Sequence, residues 1–361
     1  MTWSFPIGRI LGSEVRVHAT FFLLLLWIGL AAYLDGGTAA ALENLIFICA
    51  LFACVVAHEF GHALMARRYG IKTPDITLLP IGGLARLERM PERPGQEIAV
   101  ALAGPAVNVV IWVLLTLLFG AQAQMDDLAT IEDPGLGLLA RLAVVNLFLA
   151  VFNLIPAFPM DGGRVFRALL SMPLGRVRAT RVAARAGQVL AFGFGLLGLT
   201  TGNPILLLIA IFIFIAAAAE SSDVAMREAV RGVAAQAAMI TEFEALAPED
   251  TAQAASNSLL RTTQSEFPVL DAHGRPLGVL TRADIFKAAT EGATGGLVGD
   301  MMHAALPQVA LGAPLEKALR ALYQDRAPAV AVTGPTGAMI GYITRENLGE
   351  FLVLSAAPGR R

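Results

Sequence analysis

The segment His58-Glu59-Phe60-Gly61-His62 combines the residue types in this chain that are best suited to metal chemistry. Histidines four residues apart lie on one face of a helix, close enough to share a metal ion. Glu59 projects to one side, where its carboxylate can reach a water molecule rather than the metal itself. The pattern predicts that His58 and His62 bind zinc, with Glu59 as the base beside them.

A third ligand must come from elsewhere, because catalytic zinc generally takes three protein ligands and a water molecule. Asp161 is the candidate, near the end of the segment 153–163 (NLIPAFPMDGG). Two prolines and two glycines break the helix there, and broken helices in membranes place polar backbone along a cavity. The alternative is a helix-end carboxylate that faces water. Its pairing with the two histidines favours the role of metal ligand.

These residues belong to a chain whose composition is typical of a membrane protein. It has 361 residues, of which 56% are hydrophobic and 16% charged, and a mean hydropathy of +0.63. The apolar share exceeds that of an average soluble domain. The net charge of −2 gives no basic excess for binding nucleic acid. Cys49 and Cys54 share one apolar run, which argues against a disulfide framework or a cysteine metal site.

Six segments are long and apolar enough to be membrane spans, since a spanning helix needs about 20 mostly apolar residues. The second span contains the two histidines. An alternative is that His58, Glu59 and His62 form a buried polar cluster between helices. Ionisable groups at membrane depth are costly and usually functional, and one metal ion would satisfy all three. The predicted spans are 20–35, 42–66, 98–120, 137–158, 185–201 and 203–220.

The loops between these spans sort by charge, and Lys and Arg concentrate in cytoplasmic loops. Basic residues precede the first span and follow the second and fourth, whereas the other two loops carry acidic residues without Lys or Arg. The N-terminus and the tail after about residue 225 are therefore predicted to be cytoplasmic, with the chain in the cell (inner) membrane. A cleaved signal peptide around 21–33 is the alternative. The acidic loop residues are Asp35, Asp126, Asp127, Glu132 and Asp133.

The segment 74–88 (PDITLLPIGGLARLE) mixes apolar residues with Pro80, Gly82 and Gly83. This pattern favours strands joined by a tight turn over a helix. A β-hairpin or re-entrant loop at membrane depth would have to be covered by protein or line a watery cavity. An ordinary cytoplasmic loop is the alternative.

The soluble tail contains an internal repeat. The segments 278–284 (GVLTRAD) and 341–347 (GYITREN) each end a strand–turn–strand unit and begin a helix with Thr-Arg. The repeat resembles a tandem of CBS domains, named after cystathionine β-synthase, with copies at about 240–294 and 298–355. The domains are thus predicted as 1–224 in the membrane and 225–361 outside it.

The membrane part resembles the site-2 protease family of intramembrane zinc proteases. The resemblance rests on HExxH in an early span, on Asn-x-x-Pro-x-x-Pro-x-Asp-Gly from Asn153 to Gly162, and on 104–108 (GPAVN). The usual Leu-Asp-Gly is Met-Asp-Gly here, which keeps Asp161 in register. The resemblance implies an α-helical polytopic membrane domain with a small membrane-associated β-hairpin, followed by a soluble α/β CBS-domain pair.

By that resemblance, one Zn²⁺ is bound by His58, His62 and Asp161, and Glu59 acts as general base and proton shuttle. Asn153 is the candidate oxyanion donor. Asn108 is expected to hold the substrate backbone, although interhelical hydrogen bonding is an alternative for both asparagines. The substrate would be a transmembrane protein. A peptide bond in a helix is hydrogen-bonded and sterically hidden, so we expect the substrate to unwind locally and to add to a strand edge in the segment 74–88, at Gly82 and Gly83.

The CBS tandem is expected to form a homodimer and to bind an adenine nucleotide that regulates proteolysis. Hydroxyl and carboxylate or amide groups at a helix start suit phosphate and ribose contacts. The alternative is that Thr-x-x-Asp only caps the helix and that the tandem only dimerises. The residues concerned are Thr281, Asp284, Thr344 and Asn347.

Two other functions compete with proteolysis. A transporter or channel with a CBS regulatory tail would have internally repeated membrane halves, which the sequence does not display, and it has no need of Glu59 between two histidines. A metal-binding protein without proteolytic activity is disfavoured because every catalytic position of the family is filled.

Overall fold

The computed structural model describes residues 3–80, 82–86, 88, 91, 93–120, 137–293 and 295–356. The chain divides into two compact units, Met1–Val224 and Ala225–Arg361. The acidic loop predicted at Asp126, Asp127, Glu132 and Asp133 lies outside the described residues.

The first unit combines long apolar helices with a small sheet. Four of its helices, among the described residues, are long and apolar enough to cross a membrane: α1 (Ala19–Arg68), α2 (Pro94–Phe119), α5 (Arg176–Thr201) and α6 (Pro204–Ala229). The elements are β1 (Ser4–Ile10), β2 (Ser13–His18), α1 (Ala19–Arg68), β3 (Asp75–Leu79), β4 (Gly82–Arg86), α2 (Pro94–Phe119), α3 (Leu138–Asn153), α4 (Asp161–Leu174), α5 (Arg176–Thr201) and α6 (Pro204–Ala229).

Helix α1 contains both of the first two predicted spans. His18 caps its start by accepting a hydrogen bond from the Thr20 backbone, and Gly37, with φ 74° and ψ −163°, interrupts the helical geometry between the spans. Gly37 divides the 50 residues of the helix into segments of 18 residues (19–36) and 31 residues (38–68), about 27 Å and about 46 Å long at about 1.5 Å per residue, and a spanning helix needs about 17–25 residues. Each half is therefore long enough to cross a bilayer. The count of six spans stays a prediction.

The fourth span, predicted at 137–158, extends beyond the C-terminal end of the helix in the structure. Helix α3 ends at Asn153, and non-helical turns occupy 154–160, where Pro156 and Pro159 cannot supply the backbone N–H groups that a helix requires.

The basic segment after this span was predicted to be a loop between two spans, but in the structure it is helical. It forms α4 and the first turns of α5. Arg167 is fully buried; its Nε donates to Glu97 Oε1 at 2.6 Å and its Nη1 to Glu220 Oε1 at 2.7 Å. A guanidinium paired with two carboxylates can be buried at an acceptable cost. Arg167 therefore joins α4 to α2 and α6.

A four-stranded sheet with the order β1-β2-β3-β4 packs beside α1. Strands β2 and β3 are parallel, with Val15 opposite Ile76, while β3 and β4 are antiparallel within the segment 74–88. Alternate β2 residues face inward, and Val17 shares a buried cluster with Phe21 and Phe52 of α1. The sheet is thereby fixed against the helix that carries the histidines.

The second unit contains two copies of one strand–turn–strand–helix arrangement. Strands β5 and β6 pair antiparallel with Glu266 opposite Thr281, and β9 and β10 pair with Ala329 opposite Thr344. Each hairpin precedes a helix that begins with the predicted arginine. The elements are α7 (Ala252–Arg261), β5 (Glu266–Leu270), β6 (Pro276–Thr281), α8 (Arg282–Thr290), α9 (Val298–Met301), β7 (His303–Ala304), β8 (Gln308–Ala310), α10 (Leu315–Tyr323), β9 (Ala329–Thr333), β10 (Met339–Thr344) and α11 (Arg345–Ala356).

Candidate metal centre

His58, His62 and Asp161 converge in the first unit and are all buried. The two histidines project from one face of α1, and their Nε2 atoms lie 3.0 Å apart. Asp161 is the first residue of α4, and its Oδ2 lies 3.2 Å from His58 Nε2 and 3.1 Å from His62 Nε2. The structure thus brings together three residues that are separated by up to 103 positions in the sequence.

The other ring nitrogens are held by oxygen acceptors. His62 Nδ1 lies 2.7 Å from the Val100 carbonyl oxygen, and His58 Nδ1 contacts Asn108 Oδ1. An oxygen that can only accept requires a proton on Nδ1, so in neutral imidazole the Nε2 lone pair faces the centre.

This arrangement of donors fits a cation. With both rings neutral and protonated on Nδ1, the two Nε2 lone pairs and the carboxylate oxygen repel one another at about 3 Å when nothing positive lies between them. Two imidazoles and one carboxylate form a three-ligand set found at catalytic zinc sites. Hydrogen bonds to each Nδ1 also match the usual support of metal-bound histidines.

Gly104 of α2 leaves the space that these ligand atoms occupy. A Cβ at this position would lie 2.2 Å from His62 Nε2 and 2.7 Å from His58 Nε2. Such distances are well inside van der Waals contact, so a side chain at position 104 would displace the imidazoles. The sequence contains the family motif at 104–108, but it does not show that the glycine makes room for the imidazoles, because this depends on how α2 packs against α1.

Glu59 lies beside strand β4. A Cβ on Gly83 would lie 2.6 Å from Glu59 Cγ and 3.0 Å from its Oε1. The absence of a side chain at Gly83 therefore allows the strand to approach the carboxylate closely. Of the two glycines predicted to contact substrate, Gly83 is thus placed directly against the candidate base.

Arg164 lies beside Asp161 in α4, in a segment that the sequence predicts to be a loop. Its Nη1 lies 3.5 Å from Asp161 Oδ1, while the other carboxylate oxygen, Oδ2, faces the histidines. The guanidinium therefore favours a carboxylate orientation with Oδ2 towards the centre. The three-residue spacing at the start of α4 was the available signal, because such residues are neighbours on a helix.

Asn108 and Asn153, which were predicted to contact the substrate and the oxyanion, both contact other groups of the protein. Asn108 is fully buried and contacts His58 Nδ1, so in this structure its side chain supports the imidazole, and its contact with the substrate backbone stays a prediction. Asn153 is half-buried, and its Nδ2 donates to the Leu149 carbonyl at 2.9 Å within α3. An amide in an apolar helix readily bonds to the carbonyl one turn earlier.

The four candidate nucleotide contacts lie in the second unit and cap helices. Thr281 and Asp284 form a reciprocal capping box at α8, and Asp284 Oδ2 also lies 3.1 Å from His303 Nε2. Thr344 and Asn347 exchange similar bonds of 2.9 and 3.2 Å at α11. Each pair therefore has a structural function in its helix, and nucleotide binding stays a prediction.

Comparison with known proteins identifies a family for each of the two parts of the chain. The model of peptidase family M50 matches residues 46–129 and 124–194, and that of the CBS domain matches 230–291. The zinc metalloprotease MJ0392 of Methanocaldococcus jannaschii is 34% identical over 288 residues, which cover 80% of each chain. The protein sll0528 of Synechocystis is 31% identical over 371 residues, covering 97% of this chain and 96% of that protein.

Among solved structures, the site-2 protease from Methanocaldococcus jannaschii is 36% identical, with a TM-score of 0.47. That match covers 61% of this chain and 95% of the other. Identity above 30% over four fifths of the sequence establishes common descent. The chain belongs to the site-2 proteases, peptidase family M50, and carries a pair of CBS domains at its C-terminus.

Proposed function

We propose that this multi-pass membrane protein is a zinc-dependent endopeptidase that hydrolyses peptide bonds in or near transmembrane segments of other membrane proteins. The observation that carries the proposal is the convergence of His58, His62 and Asp161 next to Glu59. Two of the ligands and the base lie on α1, a helix apolar and long enough to cross a membrane.

His58, His62 and Asp161 would hold one zinc ion. When bound, zinc supplies Lewis-acid polarisation of the scissile carbonyl and makes the attacking water more acidic. Glu59 accepts the proton of that water and delivers it to the leaving amine. Asn153 is proposed as a hydrogen-bond donor to the oxyanion; its amide would have to leave the Leu149 carbonyl to which it now donates.

The substrate is proposed to bind as an added strand along β4. This strand is the last in the sheet order and pairs with β3, so its other edge offers backbone groups. A peptide bond in a helix is already hydrogen-bonded and has to be unwound before hydrolysis. Strand addition replaces the bonds lost in unwinding. Gly82 and Gly83 would allow the added strand to lie near Glu59.

The orientation in the cell (inner) membrane is proposed from the charges that flank the helices. Arg67 and Arg68 lie in the last turn of α1, next to the histidines, which favours a metal centre near the cytoplasmic side. With six spans, the N-terminus and the CBS domains would both be cytoplasmic.

The CBS pair is proposed to form a homodimer and to regulate proteolysis by binding an adenine nucleotide. Thr281, Asp284, Thr344 and Asn347 lie at the starts of α8 and α11, where the helix dipole favours anions. A nucleotide can regulate only if it binds two conformations with different affinities. Calorimetry of the full-length protein with ATP, ADP and AMP should give a heat of binding that Asp284→Ala and Asn347→Ala reduce. No binding by any nucleotide would leave only assembly as a function.

Proteolysis is tested with the full-length protein in lipid vesicles and a panel of fluorescently tagged transmembrane segments. We expect cleavage that chelation abolishes and added zinc restores. The Glu59→Gln variant should retain zinc and lose cleavage, because the amide cannot accept the proton. A variant that cleaves as the unmodified protein does would contradict the assignment of the base.

A further inference from the structure

The buried Asn146 of α3 is connected to His58 of the metal centre through one intervening residue, Asn108. Its side chain is fully buried, as is that of Asn108 in α2. Asn108 Nδ2 donates to Asn146 Oδ1 at 2.9 Å, and Asn146 Nδ2 donates to the Leu142 carbonyl at 2.8 Å. With the contact between Asn108 and His58, these bonds form a continuous row from a backbone carbonyl to an imidazole.

The Leu142 carbonyl at one end of this row sets the direction of every hydrogen bond in it. The Leu142 carbonyl can only accept a hydrogen bond, so the amino group of Asn146 must face it. The Asn146 oxygen then faces Asn108 and requires the amino group there. The Asn108 oxygen is therefore the atom that faces His58, and Nδ1 of His58 must carry the proton. Neutral His58 consequently presents an unprotonated Nε2 to His62 and Asp161.

We propose that Asn146 is a positioning residue that fixes the tautomer of His58 through Asn108. The inference rests on the proposed zinc site. Without an acceptor at position 146, the Asn108 amide loses the bond that orients it and can rotate by 180°. Its amino group would then face His58, and the proton would move to Nε2, where it competes with a metal for the lone pair.

His62 provides an internal comparison. Its Nδ1 faces the backbone carbonyl of Val100 at 2.7 Å, an acceptor that has no alternative orientation. Only His58 depends on a side-chain amide that can rotate. Asn146 is therefore needed for one ligand of the pair and not for the other.

Two substitutions of similar shape separate hydrogen bonding from packing. Asn146→Leu fills the space but offers no acceptor. Asn146→Asp keeps an oxygen for Asn108, and in a buried site its neutral acid can still donate to the Leu142 carbonyl. Zinc affinity of the full-length protein is measured by competition with a chromophoric chelator. The melting temperature of the zinc-free protein reports whether each variant is folded.

We expect Asn146→Leu to weaken zinc binding by about 10- to 100-fold, as for other partners of metal-bound histidines, and Asn146→Asp to bind zinc more tightly than Asn146→Leu. Unchanged affinity in Asn146→Leu, or equal weakening in both variants, would overturn the proposal. Unchanged affinity in His58→Gln would instead overturn the zinc site itself.

A measurement on the unmodified protein decides the matter if Asn146→Leu does not fold. Nitrogen-15 NMR of the zinc-free, histidine-labelled chain distinguishes the two imidazole tautomers. The His58 signals are identified by their loss in His58→Gln. At a pH where the His58 signals are those of a neutral ring, we expect its proton on Nδ1, and a neutral ring with the proton on Nε2 would overturn the proposal.

Discussion

Gly104 and His62 come from different helices, yet a Cβ on Gly104 would lie 2.2 Å from His62 Nε2. The same Cβ would lie 2.7 Å from His58 Nε2. Both candidate ligand atoms therefore occupy the space where any other residue would have a side chain. The missing side chain at Gly104 is what allows α2 to pack this closely against the two imidazoles of α1.

Replacing Gly104 by alanine should abolish tight zinc binding. The methyl group and the imidazole nitrogens cannot share the space, so the loss should exceed the roughly 10- to 100-fold typical of losing a hydrogen-bond partner of a metal ligand. Gly95→Ala is the matched control, because it lies on the same helix with open space around its Cβ position. Zinc titration of both variants tests this, and unchanged affinity in Gly104→Ala would show that the centre lies elsewhere.

Replacing Gly83 by alanine should slow cleavage and leave zinc bound. The added methyl would lie 2.6 Å from Glu59 Cγ and push the carboxylate aside, and a displacement of about 1 Å can cost about 100-fold in rate. Gly8→Ala in β1 of the same sheet, where nothing lies within 4 Å, should be close to neutral. Turnover and zinc content are measured together for both variants. Full turnover in Gly83→Ala would separate β4 from the catalytic base.

Replacing Arg167 by methionine should destabilise the first unit. The change leaves Glu97 buried without its nearest guanidinium partner, and losing one partner of a buried ion pair typically costs about 3–5 kcal/mol. Arg176→Met is the control, since Arg176 Nη2 lies 3.8 Å from Glu97 and its side chain is more exposed. Thermal melting in detergent should show the larger loss for Arg167→Met. A double variant, Arg167→Met with Glu97→Met, should recover part of it, and equal melting temperatures for the two single variants would contradict this account.

The sequence predicts those features that depend on short-range periodicity. The four-residue spacing of His58 and His62 sets their common helix face, and the repeat in the tail sets two similar hairpins. In these two cases the signal lies within a few residues of the feature. Prolines and glycines mark the helix end at Asp161, but only its pairing with the distant His58 and His62 favours a metal ligand over a helix-end carboxylate.

Other features depend on contacts between distant segments. Strands β1 and β2 were missed, because β2 pairs in parallel with β3, about 60 residues later. The basic residues after the fourth span are predicted to lie in a loop, but Arg167 lies in α4, and the sequence does not reveal its two partners because Glu97 and Glu220 lie in other helices. Asn146 was overlooked because a polar residue in a membrane helix signals an interhelical partner but does not identify it.

The most direct test is zinc K-edge X-ray absorption of the full-length protein and of Asp161→Ala. The account predicts zinc bound by two imidazole nitrogens at about 2.0–2.1 Å and by oxygen at about 2.0–2.2 Å. The Asp161→Ala variant should lose the zinc or change this spectrum. Sulfur ligands, or an identical spectrum at full occupancy in Asp161→Ala, would contradict a centre formed by His58, His62 and Asp161.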